Sequence, residues 1–152
     1  MITGKISGVC VSSTRGTSKK NIEKGYLLKD YGLVGDAHAG SERQVSLLMA
    51  EQIEEMAKKQ HIDIRPGDFA ENITVQGIDL TNVKTGTHLQ LGESEIEVIE
   101  IGKHGAENHT FSFHGMALLV DKGIFCRVIK SGRVKVGDEV RIINSPENHE
   151  RS

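Results

Sequence analysis

Apolar residues in this chain fall in short runs broken by glycine-bearing turns, and most runs alternate with a period of two. Residues 5–11, Lys-Ile-Ser-Gly-Val-Cys-Val, read as a first strand. Tyr26-Leu27-Leu28 and Leu33-Val34 are short apolar pieces with a turn at 29–32 between them. Val45 and Leu47 share one strand face and Gln44 and Ser46 the other. In the strand at 94–101, Ile96 and Val98 lie on one face while Ile99 and Ile101 lie on the opposite one. Either both faces are covered there or a bulge intervenes. In 124–129, Ile124, Cys126 and Val128 alternate with Phe125, Arg127 and Ile129.

One segment has a helical period. Met49, Ile53, Met56 and Ala57 fall on one face of a helix near 49–60. Glu51, Glu54 and Glu55 lead it, and Lys58 and Lys59 close it, which suits the helix dipole. Glu54 and Glu55 also stand four residues before Lys58 and Lys59. Such a helix would cover a sheet or a barrel end. Two further runs, 83–91 and 134–142, share the pattern Val-Lys-x-Gly-x-x-(Leu/Val)-x-(Leu/Ile). Each sets a glycine turn ahead of an alternating strand, as at two equivalent corners of one β architecture. With 17 glycines and 2 prolines, the pattern points to a sandwich or barrel.

A chain of 152 residues suits one domain, followed by a polar tail at 144–152. Its 19 basic and 21 acidic residues leave a net charge of −2, which argues against a nucleic acid or a membrane surface as partner. No apolar run approaches the roughly 18 residues of a membrane span. The first residues lack a signal-peptide pattern, so the expected compartment is cytoplasmic. Two cysteines with no CxxC exclude a zinc ribbon or a thioredoxin-like motif.

The chemistry concentrates in a few stretches. In residues 65–80, Pro66, Gly67 and Asp68 make a turn that delivers Glu71 and Asn72 to a β-prone segment. The run is either a solvated loop or a polar pair that orients a ligand. Gly35-Asp36-Ala37-His38-Ala39-Gly40 places an acid and an imidazole two apart, able to orient a proton or donate metal ligands. Residues 12–20 form a mobile polar loop whose cations, Arg15, Lys19 and Lys20, could meet an anion or simply face water. His104, His109 and His114 recur every five residues, which aligns them on neither a helix nor a strand. Cys126 lies between aliphatics, as a core residue or as a thiolate activated by Lys103 and Arg127. Arg43, Lys103 and Arg127 at strand ends could together form an anion pocket.

In their order, the motifs Gly35–Gly40, Arg43–Leu48, Gly67–Val75, Gly77–Leu80, Ile101-Gly102-Lys103, Gly123–Val128 and Val136–Val140 resemble the MOSC domain. The family is named for the C-terminal domain of molybdenum cofactor sulfurase. The resemblance covers residues 3–143 and is to the short stand-alone bacterial members. It implies a mainly β fold, a closed or partly closed barrel like the small barrel domain of pyruvate kinase, with a few short helices.

It also implies handling of the molybdenum cofactor, a molybdopterin-type ligand, or of sulfur, with a molybdoenzyme or a sulfur-donor protein as partner. The family is further associated with pyridoxal phosphate binding. On this resemblance Arg43, Glu71, Asn72, Lys103 and Arg127 would hold the pterin and its phosphate. His38 and His104 would move protons, and Cys126 would ligate molybdenum or carry sulfur. Relatives commonly carry a cysteine just after the Gly-Lys block or about six residues before the Gly-Ile-Phe block. Those places here read His104-Gly105 and Ala117. The alternative is a non-catalytic binding or delivery module.

Overall fold

The computed structural model describes residues 3–102 and 111–145. Its main element is a closed seven-strand barrel. The strands are β1 (Thr3–Val11), β5 (Val45–Met49), β6 (Ile73–Gln76), β7 (His88–Leu91), β8 (Ser94–Ile101), β9 (Ile124–Lys130) and β11 (Glu139–Asn144). Around the wall they run β1-β6-β5-β9-β8-β7-β11, and pairing of Thr3 with Arg141 closes β11 back onto β1. Short β2 (Lys20–Asn21) pairs antiparallel with the end of β1, and a small second sheet joins β10 (Gly132–Lys135), β3 (Lys24–Leu28) and β4 (Gly32–Leu33).

The barrel is mixed. Every wall pairing is antiparallel except β5 with β6, which is parallel. Parallel neighbours need a crossover, and helix α1 (Ala50–Gln60) supplies it. Met49, read in the sequence as part of the helix face, is the last residue of β5 and the helix N-cap. Ile53 is the buried anchor of α1, and Glu54 pairs with Lys58 at 3.4 Å. His61 ends the helix in the left-handed region at φ 57°, with the Ile62 amide donating back to the Ala57 carbonyl. A five-residue helix, α2 (Leu118–Lys122), precedes β9.

The two glycine corners are equivalent, as their shared pattern implied. Gly86 and Gly137 adopt φ 92° and 96°, and the strands they open, β7 and β11, pair with each other. Leu89 and Val140, each three residues past its glycine, are fully buried. The bulge alternative in β8 is the one realised, since its register with β9 shifts between Val98 and Glu100.

Two apolar cores result. Inside the barrel pack Ile6, Leu47, Val75, Leu89, Ile96 and Val128, among others. Outside the wall, Leu48, Ile53, Phe69, Leu119 and Phe125 form a smaller cluster. Each such side chain contributes about 1.5–3 kcal/mol on burial. β5 is buried along its whole length because Leu47 points into one core and Leu48 into the other. Among the described residues no helix is long and apolar enough to cross a membrane. Asn144, placed in the polar tail by the sequence, instead ends β11 opposite His88.

Candidate functional site

The second core does not reach the surface everywhere. Beside it opens a cleft of about 420 Å³. Arg15 and Gly16 come from the 12–20 loop, His38 and Arg43 from the 34–44 turns, and Phe69 and Ala70 from the 65–72 loop. Phe111 and Leu119 complete an apolar side. A small extension runs inward past His38 and Arg43 to Ser46 and Phe125.

Arg43 enters between two partners. Its Nε and Nη2 donate to the Glu100 carboxylate at 2.9 and 3.0 Å, a bidentate pair about one-third exposed. Its guanidinium also lies 5.4 Å from the centre of the Phe125 ring. The strand alternation that faces Phe125 outward is what makes this stacking possible. The pairing uses Nε and one terminal nitrogen, and leaves Nη1 outside it.

Beneath the cleft lies a buried ion pair. The Lys19 ammonium donates to Asp36 Oδ1 at 2.7 Å, and both side chains are almost fully buried. It also reaches Ser12 Oγ at 3.0 Å and His38 Nδ1 at 3.2 Å. Asp36 in turn accepts the backbone amides of Ser12 and His38. Burial raises the Asp36 carboxyl. Hydrogen bonding with His38 and Lys19, and the charge of the ammonium, outweigh that and hold it well below the usual carboxylate range.

The end of the 12–20 loop is bonded inward, although residues 13–17 are exposed. Lys19 turns inward, and its amide donates to the Gly67 carbonyl while Ser18 Oγ donates to that of Asp68. Gly67 is required here, because a Cβ would sit 2.2 Å from the Lys19 carbonyl oxygen. Only Arg15 of the three cations lines the cleft.

Glu71 and Asn72 do not face the cleft, contrary to the expectation that they hold a ligand. Glu71 is fully buried, and its two carboxylate oxygens accept the amides of Gly67 and Phe69 and the Thr74 hydroxyl. Burial raises its carboxyl to about 7, against the hydrogen bonds that lower it. Asn72 Oδ1 accepts the Ser46 amide, and its Nδ2 donates to the Cys10 carbonyl. These side chains clasp β1, β5 and the 65–72 loop together.

Cys126 is likewise a core residue and does not line the cleft. It is 0% exposed, inside the barrel, opposite Val45 and Val98 on the flanking strands. Burial pushes its thiol far above the ordinary range, and the Glu97 charge pushes it the same way. The adjacent Arg127 is no activator, because it turns outward and pairs with Glu97 at 2.8 Å. It takes no part in lining the cleft. Cys10, the other cysteine, is also fully buried with a raised thiol pKa, from desolvation and then from Glu71. Lys103, His104 and His109 lie outside the described residues. His114 is exposed, with its ring edge-on to Phe113 at 4.5 Å. No group of three or more His, Cys, Asp or Glu among the described residues converges as a metal site.

Of the expected site residues, the cleft thus brings together His38 and Arg43. Sequence reasoning missed the partners that position them. Glu100 and Phe125 alternate on neighbouring strands, and only the β8–β9 register brings them to Arg43. Lys19, read as one of three loop cations, gave no signal of its burial, since a buried lysine and a solvated one look alike in sequence.

This barrel, with its cleft over the 34–44 turns, is that of a MOSC domain. The family model matches residues 34–141, most of the chain, and the protein belongs to the MOSC domain family. Among solved structures it resembles the YuaD protein from Bacillus subtilis, with a TM-score of 0.69 and 24% identity over 91% of this chain and 94% of that one. It also resembles YiiM from Escherichia coli, with a TM-score of 0.67 and 20% identity over 95% and 71%. At these identities the likeness concerns the fold. No curated protein matches the chain in sequence.

Proposed function

We propose that the cleft binds a phosphate-bearing pterin of the molybdopterin type, and that the protein holds or delivers this ligand without thiolate chemistry of its own. The observation that carries this reading is a separation. The cleft gathers Arg15, Arg43 and His38 beside the Phe69 and Phe111 side chains, while both cysteines of the chain are sealed in apolar or backbone surroundings. Guanidinium groups suit a phosphate, and aromatic walls suit a flat heterocycle. A cleft of about 420 Å³ falls within the ordinary range for small-molecule sites.

The residues present fit one half of the molybdenum cofactor and not the other. Phosphate and ring have candidate partners. A molybdenum–thiolate bond does not, because neither Cys10 nor Cys126 reaches the cleft and burial keeps both thiols protonated. A molybdoenzyme or a sulfur-donor protein would then be the partner that completes the chemistry.

The test is to purify the protein under reducing conditions after growth with molybdate. Bound pterin, molybdenum and cyanolysable sulfur are then measured. Wild type and Cys126→Ala are expected to retain pterin alike, and Arg43→Ala to lose most of it. Sulfur or molybdenum present in wild type and lost in Cys126→Ala would overturn the reading.

A further inference from the structure

We infer that Lys19 is a positioning residue for His38, fixing its ring as the neutral tautomer protonated on Nε2, so that the cleft presents a hydrogen-bond donor to an acceptor atom of its ligand. The identity of that acceptor as a phosphate or carbonyl oxygen rests on the binding reading above. The tautomer itself does not.

The geometry argues it step by step. An ammonium has three protons and no lone pair, so whatever it touches must accept. Three acceptors surround Lys19 Nζ: Asp36 Oδ1 at 2.7 Å, Ser12 Oγ at 3.0 Å and His38 Nδ1 at 3.2 Å. The third contact is a hydrogen bond only if Nδ1 carries no proton. A neutral imidazole then has its proton on Nε2. A proton on Nδ1 would reach Asp36 Oδ2 only from 3.7 Å, a weaker contact than the 3.2 Å approach of Lys19 Nζ. It would also face a buried cation.

The ring is anchored at Nδ1, and His38 is among the residues that line the cleft. His38 keeps 28% of its side chain exposed there, while Lys19 and Asp36 keep almost none. The backbone supports the arrangement. The His38 carbonyl accepts the amide and hydroxyl of Ser41, which holds the turn carrying the ring.

Two consequences follow. In this state His38 offers a proton and no lone pair to the cleft, so it serves as a donor and not as a general base. Together with Arg43 and Arg15, it gives the cleft three donors, with Glu42 as the one acid among the lining residues described. That majority favours an acceptor-rich ligand such as a phosphate ester.

Long-range ¹H–¹⁵N correlation of the histidine side chains reads the tautomer without any ligand. At about pH 8, above the ordinary histidine range, wild-type His38 is expected to show a protonated-type Nε2 and an unprotonated-type Nδ1. Lys19→Met alone strands a buried carboxylate and is prone to unfold. The double variant Lys19→Met/Asp36→Asn removes both charges and is the better probe. In it the two ¹⁵N shifts are expected to move toward each other, as the tautomers mix.

A wild-type ring protonated on Nδ1, or a double variant with unchanged His38 shifts, would overturn the inference. Titration of wild type with inorganic phosphate tests the binding reading separately. It is expected to shift His38 Nε2 and Arg43. No response to phosphate, with the Nε2–H tautomer in place, would count against the phosphate ligand while upholding the role of Lys19.

Discussion

Two buried polar clusters are linked through Gly67, whose carbonyl accepts the Lys19 amide and whose amide donates to Glu71, and they have opposite fates. The Glu71–Asn72 clasp closes on itself, with its carboxylate and carboxamide engaged by the amides of Gly67, Phe69 and Ser46, by Thr74 and by the Cys10 carbonyl. The Lys19–Asp36–His38 cluster is as deeply set at its base, but it ends in a ring that lines the cleft. Burial of polar groups is common to both. What distinguishes a structural clasp from a site is whether any hydrogen-bonding group is left facing a cavity once the internal bonds are made.

Removing Asp36 has the largest expected effect on the second cluster. Asp36→Ala leaves the Lys19 ammonium buried with only neutral partners, and an uncompensated buried charge costs roughly 3–5 kcal/mol. Urea denaturation is expected to show a loss of that size. A loss below about 1 kcal/mol would mean that the pair behaves as a surface salt bridge.

The clasp answers differently to pH. The Glu71 carboxyl titrates near 7 in the folded protein against 4.5 for the free group. Below pH 4.5 it is protonated in both states, and its contribution is complete. Between 4.5 and 7 the folded state binds more protons than the unfolded one, so stability falls as pH rises. The fall is complete once pH passes 7 and amounts to about 3 kcal/mol. Glu71→Gln is expected to remove that slope from a denaturation series over pH 4–8. The same slope in the variant would assign it elsewhere. Asp36 has the opposite sign. Its contribution is present above the ordinary aspartate range and is lost only in stronger acid, so the two do not overlap.

Asn72→Ala should have a smaller effect, roughly 1–3 kcal/mol for the buried amide and carbonyl partners left unpaired. Phosphate binding by the folded protein is expected to be unchanged, because Asn72 does not line the cleft. Binding lost while the fold is intact would return Asn72 to the site.

How far the sequence could be read follows the same division. Local patterns transferred well. The helix near 49–60, the glycine corners at 86 and 137 and the irregularity near Val98 each follow from short-range periodicity or from a φ that glycine tolerates. The parallel β5–β6 pair was harder to read, because a strand, one helix and a strand also fit an antiparallel cover. Glu71 and Asn72 stood out as chemistry because polar residues beside a strand look the same whether they face a ligand or the backbone of another loop. Lys19 was readable as a cation able to meet an anion, but not as a buried one, because its partner Asp36 is seventeen positions away and is brought near only by the docking of the 12–20 loop. Cys126 was legible as packing from its aliphatic neighbours alone. The thiolate alternative rested on Lys103 and Arg127 as nearby cations, and the family pattern added to it.

The seam between β1 and β11 has a consequence for biosynthesis. Thr3 pairs with Arg141, so β1 waits for β11, which follows it by well over a hundred residues. While the chain is growing on the ribosome, β1 and β7 each lack the neighbour that β11 will provide. The nascent protein is therefore an open sheet with two unsatisfied edges, and such edges invite pairing with other chains. A product released before residue 139 would keep both edges permanently. Aggregation of truncated chains, more than loss of any side chain in the cleft, is the hazard this topology carries.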